Sequence, residues 1–185
     1  MEIPVVVQHR HVHLSAEDAQ SLFPGEPLEP FHPIEQRGQF ILRRTVSVHG
    51  PNGSFPDVCV IGPVRMSTQV ELSASDAFCL GLKAPLRVSG DLERSATVIL
   101  KTPEGEIKAC RSTIIPVRHL HLPPDLAQRH NVKHQDVISL RVKLRDELVF
   151  DHVIVRVHPT FTPAFHLTND EAAPAWIQTG DIVIL

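Results

Sequence analysis

The chain has 185 residues, 42% of them hydrophobic, and a formal net charge of −3 with its 12 histidines counted as neutral. This length and composition suit one ordinary domain or two small ones with packed cores, and they exclude a disordered chain. The weakly acidic balance and the 5% aromatic content give no sign of a nucleic-acid interface.

Cysteine usage argues for a reducing compartment. Cys59, Cys79 and Cys110 are far apart and form no Cys-x-x-Cys pair, which argues against both a disulfide framework and a cysteine-based zinc site. Residues 1–15 lack a signal-peptide pattern, and no apolar run reaches membrane-spanning length. We therefore expect a soluble intracellular protein.

Short apolar runs rich in Val and Ile predict strands along most of the chain. In chain order they are residues 3–7, 40–48, 58–61, 96–100, 137–142, 148–157 and 182–185. Turn signals at residues 50–53, 89–91 and 103–105 separate several of them, and the 16 prolines favour strands and turns over long helices.

Four helix starts are predicted, all of short helices. Ser15, Ser73 and Thr168 each precede an acidic residue three positions later, as in a capping box. A fourth start follows Pro123, because proline is tolerated in the first helical turn.

An internal repeat divides the chain. The segment Arg-His-Val-His-Leu at residues 10–14 recurs as Arg-His-Leu-His-Leu at residues 118–122, and each copy follows valine-rich sequence and precedes a helix start. We interpret this as two related halves. A mainly β fold of two pseudo-symmetric small β-barrels, capped by short helices, fits better than one long sandwich, because a barrel leaves short-stranded sheets without edges.

The repeat carries two His-x-His pairs, His11 with His13 and His119 with His121. Residues i and i+2 of a strand point to the same face, roughly 6–7 Å apart, so two imidazoles can converge on one metal. A catalytic zinc site uses three protein ligands, of which each pair would supply two. Spacing alone does not rank the candidates for the third ligand, which are His166, Glu71 and His158.

Two further segments are candidates for anion binding. Arg65 follows a Gly-Pro turn, where a guanidinium is able to hold a phosphate through two parallel hydrogen bonds or to form an ordinary surface ion pair. Ser89 and Gly90 offer a hydroxyl and a bare amide, or simply a turn. The arginines Arg10 and Arg118 flank the His-x-His pairs on the opposite strand face and are expected to be structural.

Taken in order, these segments resemble the phosphate propanoyltransferase family of bacterial microcompartments, the PduL-type phosphotransacylases. The matching pieces are Arg10-His11-Val12-His13-Leu14-Ser15, Gln36-x-Gly38-Gln39-Phe40, Gly62-Pro63-x-Arg65 with Thr68-Gln69-Val70-Glu71, Leu86-Arg87-x-Ser89-Gly90-Asp91, Arg118-His119-x-His121, and His166 followed by Asp170-Glu171-Ala172. They run from near the first residue to about residue 175.

The resemblance implies a reaction and a site. The reaction is acyl-CoA + phosphate = acyl phosphate + CoA, with coenzyme A as a substrate, at a site of two zinc ions. One zinc would be held by His11, His13 and Glu71 and the other by His119, His121 and His166. As catalytic residues, Arg65 would bind phosphate and Ser89 would lie beside it.

The resemblance also implies an organisation. A first barrel would span residues 9–117, and a second would span residues 118–185 and be completed by the N-terminal strand, residues 1–8. A homodimer is expected, with no nucleic-acid or membrane partner. The sequence starts almost at the first predicted strand, so we expect no amphipathic extension of the kind that directs many relatives into a microcompartment. The expected location is the cytoplasm, with the microcompartment lumen as the alternative.

Five positions depart from the family pattern. His9 stands where an asparagine is expected, and Cys59 where an arginine is expected. In the last motif, Thr168, Asn169 and Ala173 stand where aspartate, threonine and asparagine are expected. The resemblance places Cys59 and Ala173 at the coenzyme A contacts, so the departures concern the thiol substrate and leave the metal ligands intact.

Two other functions are compatible with paired His-x-His segments. A zinc hydrolase would use water at the open metal position to attack an ester or phosphate. A non-catalytic scaffold would use closed, four-ligand zinc sites for stability alone.

Overall fold

The computed structural model describes residues 1–25 and 27–185, including their side chains except that of Asp146. The strands are β1 (Glu2–Gln8), β2 (His11–His13), β3 (Pro30–Pro33), β4 (Phe40–His49), β5 (Ser54–Gly62), β6 (Gln69–Glu71), β7 (Leu86–Arg87), β8 (Ala96–Lys101), β9 (Glu106–Pro116), β10 (His119–Leu122), β11 (Val137–Val142), β12 (Arg145–Val157), β13 (Ala164–Thr168) and β14 (Ile182–Ile184). The helices are α1 (Ala16–Leu22), α2 (Ala74–Cys79), α3 (Pro124–Arg129) and α4 (Asn169–Ala172).

The described residues form two compact units. Residues 10–116 make the N-terminal barrel, and residues 1–9 with 117–185 make the C-terminal barrel. The N-terminal barrel closes through the strand pairs β4–β5–β2–β6–β9–β8 and back to β4, with β3 and β7 attached to it. The C-terminal barrel closes through β1–β13–β10–β12–β11–β14 and back to β1. The predicted fold class, mainly β with two small barrels capped by short helices, is confirmed.

The two barrels share one pairing scheme. In each, the His-x-His strand pairs in parallel with a long strand, β5 or β12, and antiparallel with a short one, β6 or β13. The strand that completes each barrel, β9 or β1, leads directly along the chain into the His-x-His strand of the other barrel. This alternation explains why the N-terminal strand belongs to the same unit as the C-terminal residues.

Each barrel is filled by the alternate side chains of its strands. Val12 on β2 and Leu120 on β10 are fully buried in the two apolar cores. Because side chains alternate across a strand, the histidines on either side of Val12 and Leu120 point away from the core.

A short helix begins just after each of the four strands that carry candidate metal ligands. The hydroxyl of Ser15 accepts the Asp18 amide at the start of α1, and Ser73 and Asp76 form a reciprocal capping box on α2. The Glu171 carboxylate accepts the Thr168 amide at the start of α4. These caps satisfy amide groups that a helix start leaves without partners, so β2, β6 and β13 each end at a defined residue, whereas α3 begins with proline and has no side-chain cap.

Most sequence-based element predictions are confirmed. Every predicted strand coincides largely with an observed one, and all four short helices are present. The sequence reading missed β9, the longest strand of the N-terminal barrel, because polar and charged residues interrupt its apolar pattern and Arg111 adopts a positive φ within it. No helix in the described part of the chain is long and apolar enough to span a membrane.

Candidate metal centres and anion site

Strand register brings three ligands together on the N-terminal barrel. His11 on β2 pairs directly with Glu71 on the antiparallel strand β6, and His13 lies two residues further along the same face of β2. The ligand atoms of these residues lie within 4.8 Å of one another, and all three side chains are buried. His11 Nε2 is 3.5 Å from a Glu71 carboxylate oxygen.

The same arrangement occurs on the C-terminal barrel with a histidine in place of the carboxylate. His119 on β10 pairs with His166 on the antiparallel strand β13, and the ligand atoms of His119, His121 and His166 lie within 4.8 Å of one another. The rings of His119 and His166 are stacked with centroids 5.0 Å apart, and His121 is 4.5 Å from His166. All three residues are buried.

Both ligand sets fit a zinc ion. Three imidazoles, or two imidazoles and a carboxylate, are the protein ligands typical of catalytic zinc, which keeps a fourth position open. His13 Nδ1 lies 3.2 Å from the Ile61 carbonyl oxygen, and His119 Nδ1 lies 2.8 Å from that of Val117. A ring that donates Nδ1–H to a carbonyl presents the lone pair of Nε2 to a metal, which is how such ligands are usually oriented.

Burial lowers the pKa of two of the ligand imidazoles, those of His13 and His121. Desolvation, followed by the charges of His11 and Arg65, lowers the pKa of His13 to about 3. Desolvation also lowers the pKa of His121, with further contributions from His166, His119 and Arg156. A neutral imidazole is the form that binds a metal, so His13 and His121 are in the metal-binding form at neutral pH.

Beside the N-terminal triad lie the candidate anion-binding residues Arg65 and Ser89. The Arg65 amide donates to the Leu14 carbonyl at 2.8 Å, which holds the turn next to β2. An Arg65 guanidinium nitrogen is 3.5 Å from Ser89 Oγ. The positive charge of Arg65 is close enough to His13 to help lower its pKa.

Gln69 links the candidate anion-binding residues to the candidate metal ligand Glu71, and the sequence analysis did not assign it a role. Its side-chain amide donates to Glu71 Oε1 at 2.5 Å and to Ser89 Oγ at 2.8 Å, and its Oε1 accepts the Gly90 amide at 2.8 Å. The available signal was its spacing: Gln69 and Glu71 are two residues apart on β6, like the histidines of β2.

The structure places the other candidate residues outside the two triads. His158 stays outside both triads, and its Nδ1 lies 2.8 Å from Thr160 Oγ1. Arg10 forms an ion pair with Asp76 at 2.6 Å, and Arg118 lies 3.6 Å from Glu171. Cys59 on β5 is the register neighbour of His11.

Comparison with known proteins identifies relatives along nearly the whole chain. A family model described as phosphate propanoyltransferase matches residues 4–178. A phosphate propanoyltransferase of Thermotoga maritima is 42% identical over 185 residues, which cover 99% of this chain and 88% of the relative. Proteins of the same name from Shewanella putrefaciens and Clostridioides difficile are 43% and 37% identical, over 98% and 97% of this chain and 86% and 87% of the relatives.

The lowered pKa of His13 predicts how the stability of the metal-free protein depends on pH. In the unfolded chain the His13 imidazole is protonated below about pH 6.5, whereas in the folded protein it is protonated only below about pH 3. The free energy of unfolding therefore decreases as the pH falls from about 6.5 to about 3. We expect the free energy of unfolding to fall by roughly 1–3 kcal/mol between about pH 7 and pH 4.5 on account of this group. Urea unfolding after chelation measures the change.

Two variants separate this group from general acid denaturation. His13→Asn should have a shallower pH dependence than the parent protein, whereas His130→Asn, at an exposed position after α3, should follow the parent. Equal slopes for all three proteins would contradict the assignment to His13.

Proposed function

This chain belongs to the phosphate propanoyltransferase family and is a phosphate acyltransferase, and from that premise we propose that it uses two zinc ions, one in each histidine triad. The proposed reaction moves an acyl group between coenzyme A and inorganic phosphate. Its phosphate site is formed by Arg65 and Ser89 beside the ligands His11, His13 and Glu71.

One observation carries the proposed phosphate site. Gln69 contacts both Glu71 and Ser89, and Ser89 in turn contacts Arg65, so the anion-binding groups and the metal ligands form one continuous network. A structural ion pair would not require this connection. A catalytic site that binds phosphate next to a metal does require the phosphate-binding residues to be connected to the metal ligands, because phosphate and acyl-CoA must be held in a fixed relation.

This hydrogen-bond network determines where the Ser89 hydroxyl directs its hydrogen. Its Oγ accepts hydrogen bonds from the Gln69 amide and the Arg65 guanidinium, so the hydroxyl hydrogen is directed to another acceptor. We assign that acceptor as a phosphate oxygen. The Arg65 guanidinium holds two other phosphate oxygens through parallel hydrogen bonds and offsets their negative charge.

Acyl transfer then follows from positioning. A phosphate oxygen held by Arg65 and Ser89 attacks the thioester carbonyl carbon, the new carbon–oxygen bond forms, and the carbon–sulfur bond breaks to release the coenzyme A thiolate. Zinc, when bound, supplies Lewis acidity and a soft partner for sulfur. The residues of the chain supply orientation, which is worth several kcal/mol when two substrates are held in line.

Phosphate dependence tests the proposed reaction. The zinc-loaded protein should release thiol from propanoyl-CoA or acetyl-CoA only when phosphate or arsenate is present. Arg65→Gln should raise the KM for phosphate about 10- to 100-fold, because a charge-assisted hydrogen-bonded pair is lost, and Arg65→Lys should recover part of the effect. Arg43→Gln, an exposed arginine of the same barrel paired with Glu29, is the matched control and should behave as the parent.

The alternatives have distinct outcomes in the same assay. Thiol release that ignores phosphate would identify a zinc hydrolase. No thiol release under any condition, from protein with a full zinc content, would identify a non-catalytic scaffold.

We also propose that the enzyme is a homodimer. Phe78 on α2 exposes 83% of its surface, which is unusual for a large aromatic side chain on a helix and typical of a protein interface. Light scattering should give about twice the chain mass of 20.6 kDa, and Phe78→Ser should shift the mass towards the monomer. Leu144→Ser, at an exposed turn of the other barrel, is the control; a monomeric parent protein would refute the dimer.

A further inference from the structure

A turn that follows β12 lies against the all-histidine triad. The His158 amide donates to the Leu122 carbonyl at 3.1 Å, so the chain stays attached to β10 after β12 has ended. The Phe161 amide then donates to the His158 carbonyl at 3.1 Å and closes the turn. These two hydrogen bonds hold Phe161 next to His121, which lies one residue before Leu122 on β10.

His158 holds this turn in shape and is itself exposed to solvent. Its Nδ1 lies 2.8 Å from Thr160 Oγ1 and accepts the Thr160 amide at 3.3 Å. Its ring lies 5.3 Å from the ring of Phe161, between centroids. Pro159 and Pro163 restrict the backbone on either side of Phe161. The residue that spacing offered as a third metal ligand therefore fixes a turn, and the turn presents Phe161.

Phe161 packs face to face on the His121 imidazole. The two ring centroids are 3.8 Å apart, and the ring planes meet at only 18°. The lone pair with which an imidazole binds a metal lies in the plane of the ring, so a stack on the ring face leaves that nitrogen available. Rotation of a histidine ring about its last side-chain bond is otherwise only weakly restricted, and a ring stacked on its face hinders this rotation.

We propose that Phe161 is a positioning residue for the metal ion of the C-terminal triad, because it keeps the His121 imidazole directed at the ion and slows the loss of the ion. This inference rests on the proposed function, since it assumes a metal in that triad. Loss of a metal ion requires one ligand to rotate away and water to take its place. A half-buried aromatic ring on the face of His121 hinders both steps.

Release of zinc to a chromogenic chelator tests this role. The rate is measured in the His13→Asn background, where only the C-terminal triad is complete and one ion per chain is followed. Phe161→Leu should speed the release about 10- to 100-fold, because it keeps an apolar side chain and removes the planar stack that orients a ligand. Phe161→Tyr, which keeps the ring, should release zinc at nearly the rate of the background protein.

His158 should act through Phe161. His158→Ala removes the acceptor of the Thr160 hydrogen bonds and should speed zinc release by a smaller factor than Phe161→Leu does. The two changes together should release zinc no faster than Phe161→Leu alone, because residues that act through one contact are not additive.

Cobalt(II) in the same site separates positioning from a general loosening of the barrel, because its visible absorption depends on the geometry of its ligands. Phe161→Leu should change the spectrum, and Phe161→Tyr should retain it. Two control variants remove other rings of this barrel: Phe150→Leu removes a buried one, and Trp176→Leu removes one that is 85% exposed. Both controls should keep the spectrum and the release rate.

Three results would overturn the role of Phe161 and its turn. An unchanged release rate and spectrum in Phe161→Leu would show that the ring does not position His121. Equal acceleration by Phe161→Leu and Phe150→Leu would show that loss of a ring merely loosens the barrel. Loss of zinc binding in His158→Ala would make His158 a ligand.

Failure of the proposed function gives different results. A zinc-loaded parent protein without acyl transfer would refute the reaction and leave the release rates decisive for Phe161. Parent protein that takes up no zinc would refute the metal centres and the role of Phe161 together.

Discussion

Antiparallel pairing of a His-x-His strand with a short neighbouring strand is the constraint on which both sites depend. The register sets Glu71 opposite His11 and His166 opposite His119. Because side chains alternate, a slip of one residue would turn each third ligand into the barrel core and expose a core residue instead. The apolar residue between the histidines, Val12 or Leu120, prevents this slip, since it is anchored in the core.

Burial of these ligand side chains costs free energy and also affects their protonation. Six polar ligand side chains are buried on the two barrels, and burial of a polar group costs free energy unless a partner satisfies it. The same burial lowers the pKa of His13 and of His121, which keeps these two imidazoles in the neutral form that donates to a metal. A metal ion bound to these ligands would stabilise the fold, in addition to the proposed role of the sites in acyl transfer.

Local sequence was sufficient for the elements and insufficient for the pairing between them. Apolar runs predicted seven of the fourteen strands in the described part of the chain, and capping residues and proline predicted all four helices there. The repeated His-x-His segment indicated two related barrels. Spacing left the third ligand open among Glu71, His166 and His158, because the answer depends on which strands become neighbours. Gln69 was missed for the same reason, because its connection to Ser89 is a contact between segments that are distant in the sequence.

The zinc content of purified protein and of single-ligand variants tests the central claim most directly. Elemental analysis should find two zinc ions per chain, and one ion in either His13→Asn or His121→Asn, because each variant removes a ligand from only one triad. His152→Asn, at an exposed position on β12, should retain both. Parent protein without zinc, or zinc that is unaffected by both ligand variants, would contradict the assignment of the two triads as metal centres.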